Sequence, residues 1–156
     1  MYKLKYDAAL FSDLGKTGVG AVIRNEKGEV MAAMTACGPA IQTSEEAELL
    51  ACRRALEFVV DAGFYRLIIE GDNSNVTHAI SSSAENNSLF GNVVDDIRHL
   101  IRGLHWFAIC CIRRGGNRVA HVLAPLARFT LDEDLYWMED SPQPAIDALY
   151  HDTLSI

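Results

Sequence analysis

Asp7, Glu48 and Asp72 are acids placed where a fold could gather them, and His121 stands downstream as an imidazole that could join them. Three carboxylates brought together without a basic partner repel one another strongly. A divalent cation removes that repulsion, and an oxygen-rich set that keeps several waters suits magnesium. Two such ions, about 3.5–4 Å apart, can activate a water and stabilise the leaving oxygen of a phosphodiester. His121 reads three ways: a neutral metal ligand, a general acid, or a helix histidine outside the chemistry. As a neutral ligand it adds no negative charge, so a second cation is held more weakly, and the expected activity is low and favours manganese. Taken singly, Asp7 also reads as a turn acid, Glu48 as an acid favoured by a helix start, and Asp72 as a helix cap.

These side chains need elements to hold them. Tyr2, Leu4 and Tyr6 alternate with Lys3, Lys5 and Asp7, the pattern of a half-buried strand that ends at Asp7. Residues 18–25 and 30–35 flank Glu26-Lys27-Gly28-Glu29, a hairpin around a polar, glycine-bearing turn. Thr43 and Glu46 fit a capping box, with Ser44 a rival cap. Ala47, Leu50, Ala51, Ala55, Phe58, Val59 and Ala62 then form one helical stripe that stops at Gly63. Residues 66–70 predict a short strand parallel to the first, which brings Asp7 and Asp72 to one sheet edge with Glu48 facing it. Short helices are expected over 75–82 and from Val93 to Leu104, with a polar loop over 81–88 between them. A strand is expected over 105–112, with Trp106 and Phe107 in the core. A last helix is capped by Asn117 and kinked or ended by Pro125. The order βββ-α-β-α-α-β-α predicts an α/β fold with a five-stranded mixed sheet and helices on both faces. Gly18-Val19-Gly20 at a strand start points to close backbone packing rather than a phosphate loop.

The chain has 156 residues, which suits one domain, and its net charge is −7. The charge is unevenly placed. Residues 130–156 hold seven acids and no Lys or Arg, which leaves 14 acids against 14 Lys and Arg in residues 1–129. The expected division is therefore a neutral domain over 1–129 and an acidic extension over 130–156. A neutral body permits nucleic-acid binding without the basic excess that usually announces it. No run is long and apolar enough for a membrane span, and MYKLKYDAAL lacks a secretory stretch, so an intracellular protein is expected. Cys110 and Cys111 read as small core residues in a reduced compartment, with no disulfide framework. Glu45, Glu46 and Glu70 read as surface charges.

The ordered set YDAAL at 6–10, GVGAVIRNEKGEV at 18–30, AELLACRRALEFVVDAGF at 47–64, IIEGDNSNV at 68–76, VVDDIRHL at 93–100 and RRGGNRVAHVLAPLA at 113–127 resembles the ribonuclease H fold family. In particular it resembles the plant reverse-transcriptase-like RNase H domains derived from retroelements, and YWMEDSP at 136–142 extends that likeness. The resemblance implies an RNase H-like fold and hydrolysis of the RNA strand of an RNA–DNA hybrid with Mg2+ or Mn2+, leaving a 3′-hydroxyl and a 5′-phosphate. It implies that the metals are held by Asp7, Glu48 and Asp72, and that His121 replaces the family's fourth carboxylate in Asn117-x-x-Ala120-His121-x-Leu123-Ala124.

The candidate nucleic-acid contacts are Ser44, Asn73, Ser74, Arg113, Arg114 and Asn117. Ser44 and Glu45 stand where the family often has asparagines, Asn73 stands where it prefers serine, and the basic insertion is missing between Ser81 and Asp96. A second reading follows from these departures: a catalytically weak or inactive module of the same fold that binds nucleic acid or protein. Leu135, Tyr136, Trp137 and Met138 form an apolar anchor by which the acidic segment could fold back over the body.

Overall fold

The computed structural model describes residues 1–82, 91–130 and 133–138. Strand β1 (Tyr2–Phe11) pairs antiparallel with β2 (Lys16–Arg24), and β2 pairs antiparallel with β3 (Val30–Gly38). Both hairpins turn on residues suited to it. Gly15 and Gly28 take positive φ, and Asn25 accepts from the amides of Lys27 and Glu29 to close the second turn. Helix α1 (Ser44–Asp61) starts at Thr43, whose side chain accepts from the Glu46 amide, so Thr43 and not Ser44 is the cap. Gly63, at φ 88°, lies beyond its end.

Strand β4 (Arg66–Gly71) returns parallel to β1, and α2 (Ser74–Ser81), α3 (Gly91–Arg102) and β5 (Trp106–Cys111) follow. After a 3-10 turn over Arg114–Gly116 comes α4 (Arg118–Leu126). Pro125 falls in its last turn, where its missing amide cannot donate to the His121 carbonyl, and the helix stops one residue later. The expected loop over 81–88 lies largely outside the described residues.

The α/β architecture, a mixed sheet with helices on both faces, is as expected, with one strand more. Among the described residues the sheet has six strands in the order β5-β4-β1-β2-β3-β6, the last being β6 (Leu135–Met138), which pairs antiparallel with β3. Four residues are too few to display a period, so an apolar anchor was all this segment announced. In place, Tyr136 meets the Phe58 ring at 5.3 Å on one face of the sheet, and Trp137 packs beside Val22, Ala33, Val119 and Leu123 on the other.

Two further expectations change. β1 does not end at Asp7 but runs on to Phe11 against β2; what ends there is its pairing with β4, at Lys5 and Glu70. Trp106 and Phe107 are not core: they are 39% and 45% exposed, and Cys110 and Cys111 are exposed with them. Among the described residues β5 is an edge strand with one neighbour, so its apolar composition does not translate into burial.

The main core lies between the sheet and α1, α2 and α3, with Leu4, Tyr6, Ile23, Met34, Leu56, Ile69 and Ile97 at its centre. α4 covers the opposite face and comes unusually close to β2. A Cβ on Gly20 would lie 2.5 Å from the Ala120 carbonyl and 2.8 Å from Leu123 Cβ, and one on Gly18 would strike the Ala124 carbonyl. Gly20 is the register partner of Asp7, so this close approach sets the height of α4 above the acid. Gly20→Ala should therefore cost about 3 kcal/mol by overpacking against backbone, read as a lower Tm. Gly115→Ala, whose Cβ meets nothing within 4 Å, should stay within about 0.5 kcal/mol of the native chain.

Candidate functional site

The site begins where β4 stops. β1 and β4 pair only from Tyr2–Leu67 to Lys5–Glu70, so β1 continues without that neighbour past Asp7. The Ala8 amide there donates to Asp7 Oδ1 at 2.9 Å and to Glu48 Oε1 at 3.1 Å. One backbone N–H thus gathers an acid from a strand and an acid from a helix. Asp72 follows β4 directly. Ligand oxygens of Asp7, Glu48 and Asp72 all lie within 4.8 Å of one another, the one cluster of this kind among the described residues. Asp7 and Glu48 are buried, and the Asp72 side chain is 5% exposed.

Burial and proximity act together on these acids. Glu48 is pushed up to about 10, first by burial, then by the hydrogen bond and charge of Asp7, then by Asp72. Burial, followed by the charge of Asp7, also raises Asp72, although a hydrogen bond from Asn117 and the charge of Arg114 pull the other way. Glu48 Oε2 and Asp72 Oδ2 are buried without a hydrogen-bond partner. Buried carboxylate oxygens without donors are expensive. Three acids with two such oxygens fit a divalent cation, which would take up the missing lone pairs and cancel the repulsion.

His121 lies on α4, and its Nδ1 is 2.9 Å from Asp7 Oδ2, with the side chain 58% exposed. It therefore meets the set through Asp7 and stands outside the close group of three. Asn117 is fully buried and makes no cap bond; its Nδ2 donates to the Tyr6 carbonyl at 2.9 Å and its side chain bonds Asp72. It ties β1, the end of β4 and the start of α4 into one frame. Arg114 Nε lies 3.7 Å from Asp72 Oδ2. Arg113, Ser44 and Ser74 are exposed near the same rim of elements, and Asn73 caps α2 by accepting from Asn75 and Val76.

Two features of the site went unread in the sequence. The Ala8 amide carries no side-chain signal at all. Glu70 is 7% exposed, not a surface charge; the strand period does put its register partner Lys5 on the same face as Asp7, which was the available clue.

A family model described as reverse transcriptase-like matches residues 5–127. The chain belongs to that family. The matched span holds Asp7, Glu48, Asp72 and His121 together. Solved structures agree on the fold of this reverse transcriptase-like domain. RNase H1 from the archaeon Halobacterium salinarum is 25% identical with a TM-score of 0.74, the match covering 83% of this chain and 98% of that one. The N-terminal RNase H domain of a Mycobacterium tuberculosis protein is 20% identical with a TM-score of 0.69, over 83% of this chain and 94% of that one. LC11-RNase H1, isolated from compost and solved with an RNA/DNA hybrid, is 19% identical with a TM-score of 0.72, over 85% of this chain and all of that one. None of the curated proteins matches. Among the described residues no helix is long and apolar enough to cross a membrane.

The raised Glu48 sets a pH dependence for the metal-free protein. A carboxyl whose folded value exceeds its ordinary 4.5 gives stability that is complete below that value and is lost as pH rises toward the folded one. In chelator, Glu48→Gln should therefore melt higher than the native chain at pH 8, by about 2 kcal/mol or some 4–8 °C, and the gap should close near pH 4. A lower Tm at pH 8 would contradict the electrostatic account.

Proposed function

We propose that this domain is a metal-dependent endoribonuclease that hydrolyses the RNA strand of RNA–DNA hybrids. The observation that carries the reading is the buried set Asp7, Glu48 and Asp72, with unpartnered oxygens on two of its acids. The hybrid seen with LC11-RNase H1, a protein of the same fold, supports the substrate class. Asp7, Glu48 and Asp72 would hold Mg2+ or Mn2+. Such a cation supplies Lewis acidity, polarising a phosphoryl oxygen and lowering the pKa of an attacking water. The Ala8 amide and Asn117 fix the acids before substrate arrives, so little reorganisation is left for the reaction. His121 sits at Asp7, placed to move a proton at Oδ2 or to join the metal set. Arg113 and Arg114 offer exposed cations to phosphate. Ser44, Asn73 and Ser74 offer hydroxyl and amide groups along the helix starts that border the acids. Asn117, being buried, serves nucleic acid through the frame it holds and not by contact. On this reading residues 1–129 carry the activity and 130–156 are accessory.

A specific observation favours a second reading, a catalytically weak module that keeps the fold. The imidazole on Asp7 is neutral or cationic where a carboxylate would strengthen the site, so affinity for a second cation falls.

Labelled hybrid incubated with Mn2+ decides between them. The native chain should cleave the RNA strand, and Asp72→Asn should lose about 10²-fold or more, the scale of a lost electrostatic group at a reacting centre. Equal cleavage by both, or none by either, overturns the nuclease reading. His121→Asp should raise cleavage in Mg2+ more than in Mn2+; no change in either metal would remove His121 from the account.

A further inference from the structure

On the face of β1 that carries Asp7 lies a cavity of about 390 Å³. Lys3, Lys5, Glu70 and Arg113 line it, with Gly115 and Gly116 of the turn that leads into α4. Lys3, Lys5 and Asp7 follow one another at the strand period, so the cavity starts about 7 Å along β1 from the catalytic acid. Among its described lining residues Lys3, Lys5 and Arg113 stand with Glu70, unlike the all-acid set next to it.

The four side chains are held differently. Lys5 is 3% exposed, and its ammonium donates to the Gly116 carbonyl at 2.7 Å, which fixes the charge against the turn. Lys3 is about a third exposed, and its Nζ stands 3.9 Å from Glu70 Oε1, too far for a hydrogen bond. Arg113 is exposed at the mouth. Glu70 is 7% exposed and its Oε1 has no hydrogen-bond donor. A buried acid pinned beside cations yet lacking a donor wants a ligand that brings one. The partly exposed Lys3 and the exposed Arg113 suit an anion. Gly115 and Gly116 leave the space over the turn open, since a Cβ on either would meet nothing within 4 Å.

We infer that this cavity is a nucleotide subsite, taking a phosphate on Lys3, Lys5 and Arg113 and a sugar hydroxyl or base amino group on Glu70. A monophosphate unit suits its size, and bare phosphate would leave Glu70 unsatisfied. The assignment rests on the nuclease reading in placing this unit on the strand that passes the acids. It adds a contact that holds the strand next to the cleavage point.

The test is binding without catalysis. The full chain is titrated with adenosine 5′-monophosphate in chelator and followed by amide chemical shifts, with inorganic phosphate as the second probe. Shifts should gather at Lys3, Lys5, Glu70 and Gly115, and the nucleotide should bind about tenfold tighter than phosphate, the worth of one hydrogen bond to a charged group. Lys3→Ala and Arg113→Ala, both at solvent-reached positions, should each loosen the nucleotide about tenfold. Glu70→Ala should abolish the preference over phosphate. Shifts elsewhere, equal affinity for the two probes, or indifference to Lys3→Ala and Arg113→Ala overturns the subsite. Hybrid cleavage measured beside it separates the two ideas: cleavage with no shifts in the cavity leaves the nuclease and removes the subsite, and shifts with no cleavage do the opposite.

Discussion

Strands β1 and β4 stop pairing at Lys5 and Glu70, and the backbone of β1 beyond that point must find other partners. The Ala8 amide finds two carboxylates. A buried N–H is an obligatory donor, and here its satisfaction and the assembly of the acids are one event. Glu48 can reach it because α1 packs over β1 and β2, and Asp72 arrives because β4 ends beside it. The site is thus a property of strand length. A β4 two residues longer would pair the amide and leave the acids without their common donor.

The opposite face of the sheet contributes by proximity. Gly18 and Gly20 let α4 settle onto β2 at backbone distance. That settling brings Asn117 under Tyr6 and Asp72, and His121 against Asp7. The region is therefore strained electrostatically but rigid mechanically. Repulsion among the acids is held in check by packing contributed from both layers, a common bargain between stability and chemistry.

Sequence patterns showed those parts of this arrangement that depend on period and punctuation. The alternation of Tyr2 to Asp7, the Thr43 cap, the stripe of α1 and the crossover to β4 were enough to place three acids at one edge. Flanking motifs then made His121 a member of the set. The parts that stayed hidden have physical reasons. Trp106 and Phe107 look like core because edge strands and central strands can share a composition. Glu70 looks like a surface charge because burial of an acid is decided by the turn beside it at Arg113–Gly116, at a distance along the chain that no local window spans. Asn117 looks like a cap because the same amide that could close a helix start was used across the sheet.

The two edges of this sheet are unlike. At one, β6 lies along β3, with Tyr136 and Trp137 gripping opposite faces. At the other, β5 has one partner among the described residues and a run of apolar side chains facing out. Each margin is an edge strand with one partner among the described residues, and the two differ in length, four residues in β6 and six in β5. A strand offered by another chain at the longer, apolar margin would add beside β5, which alone would separate it from β4, the strand whose end defines the acids.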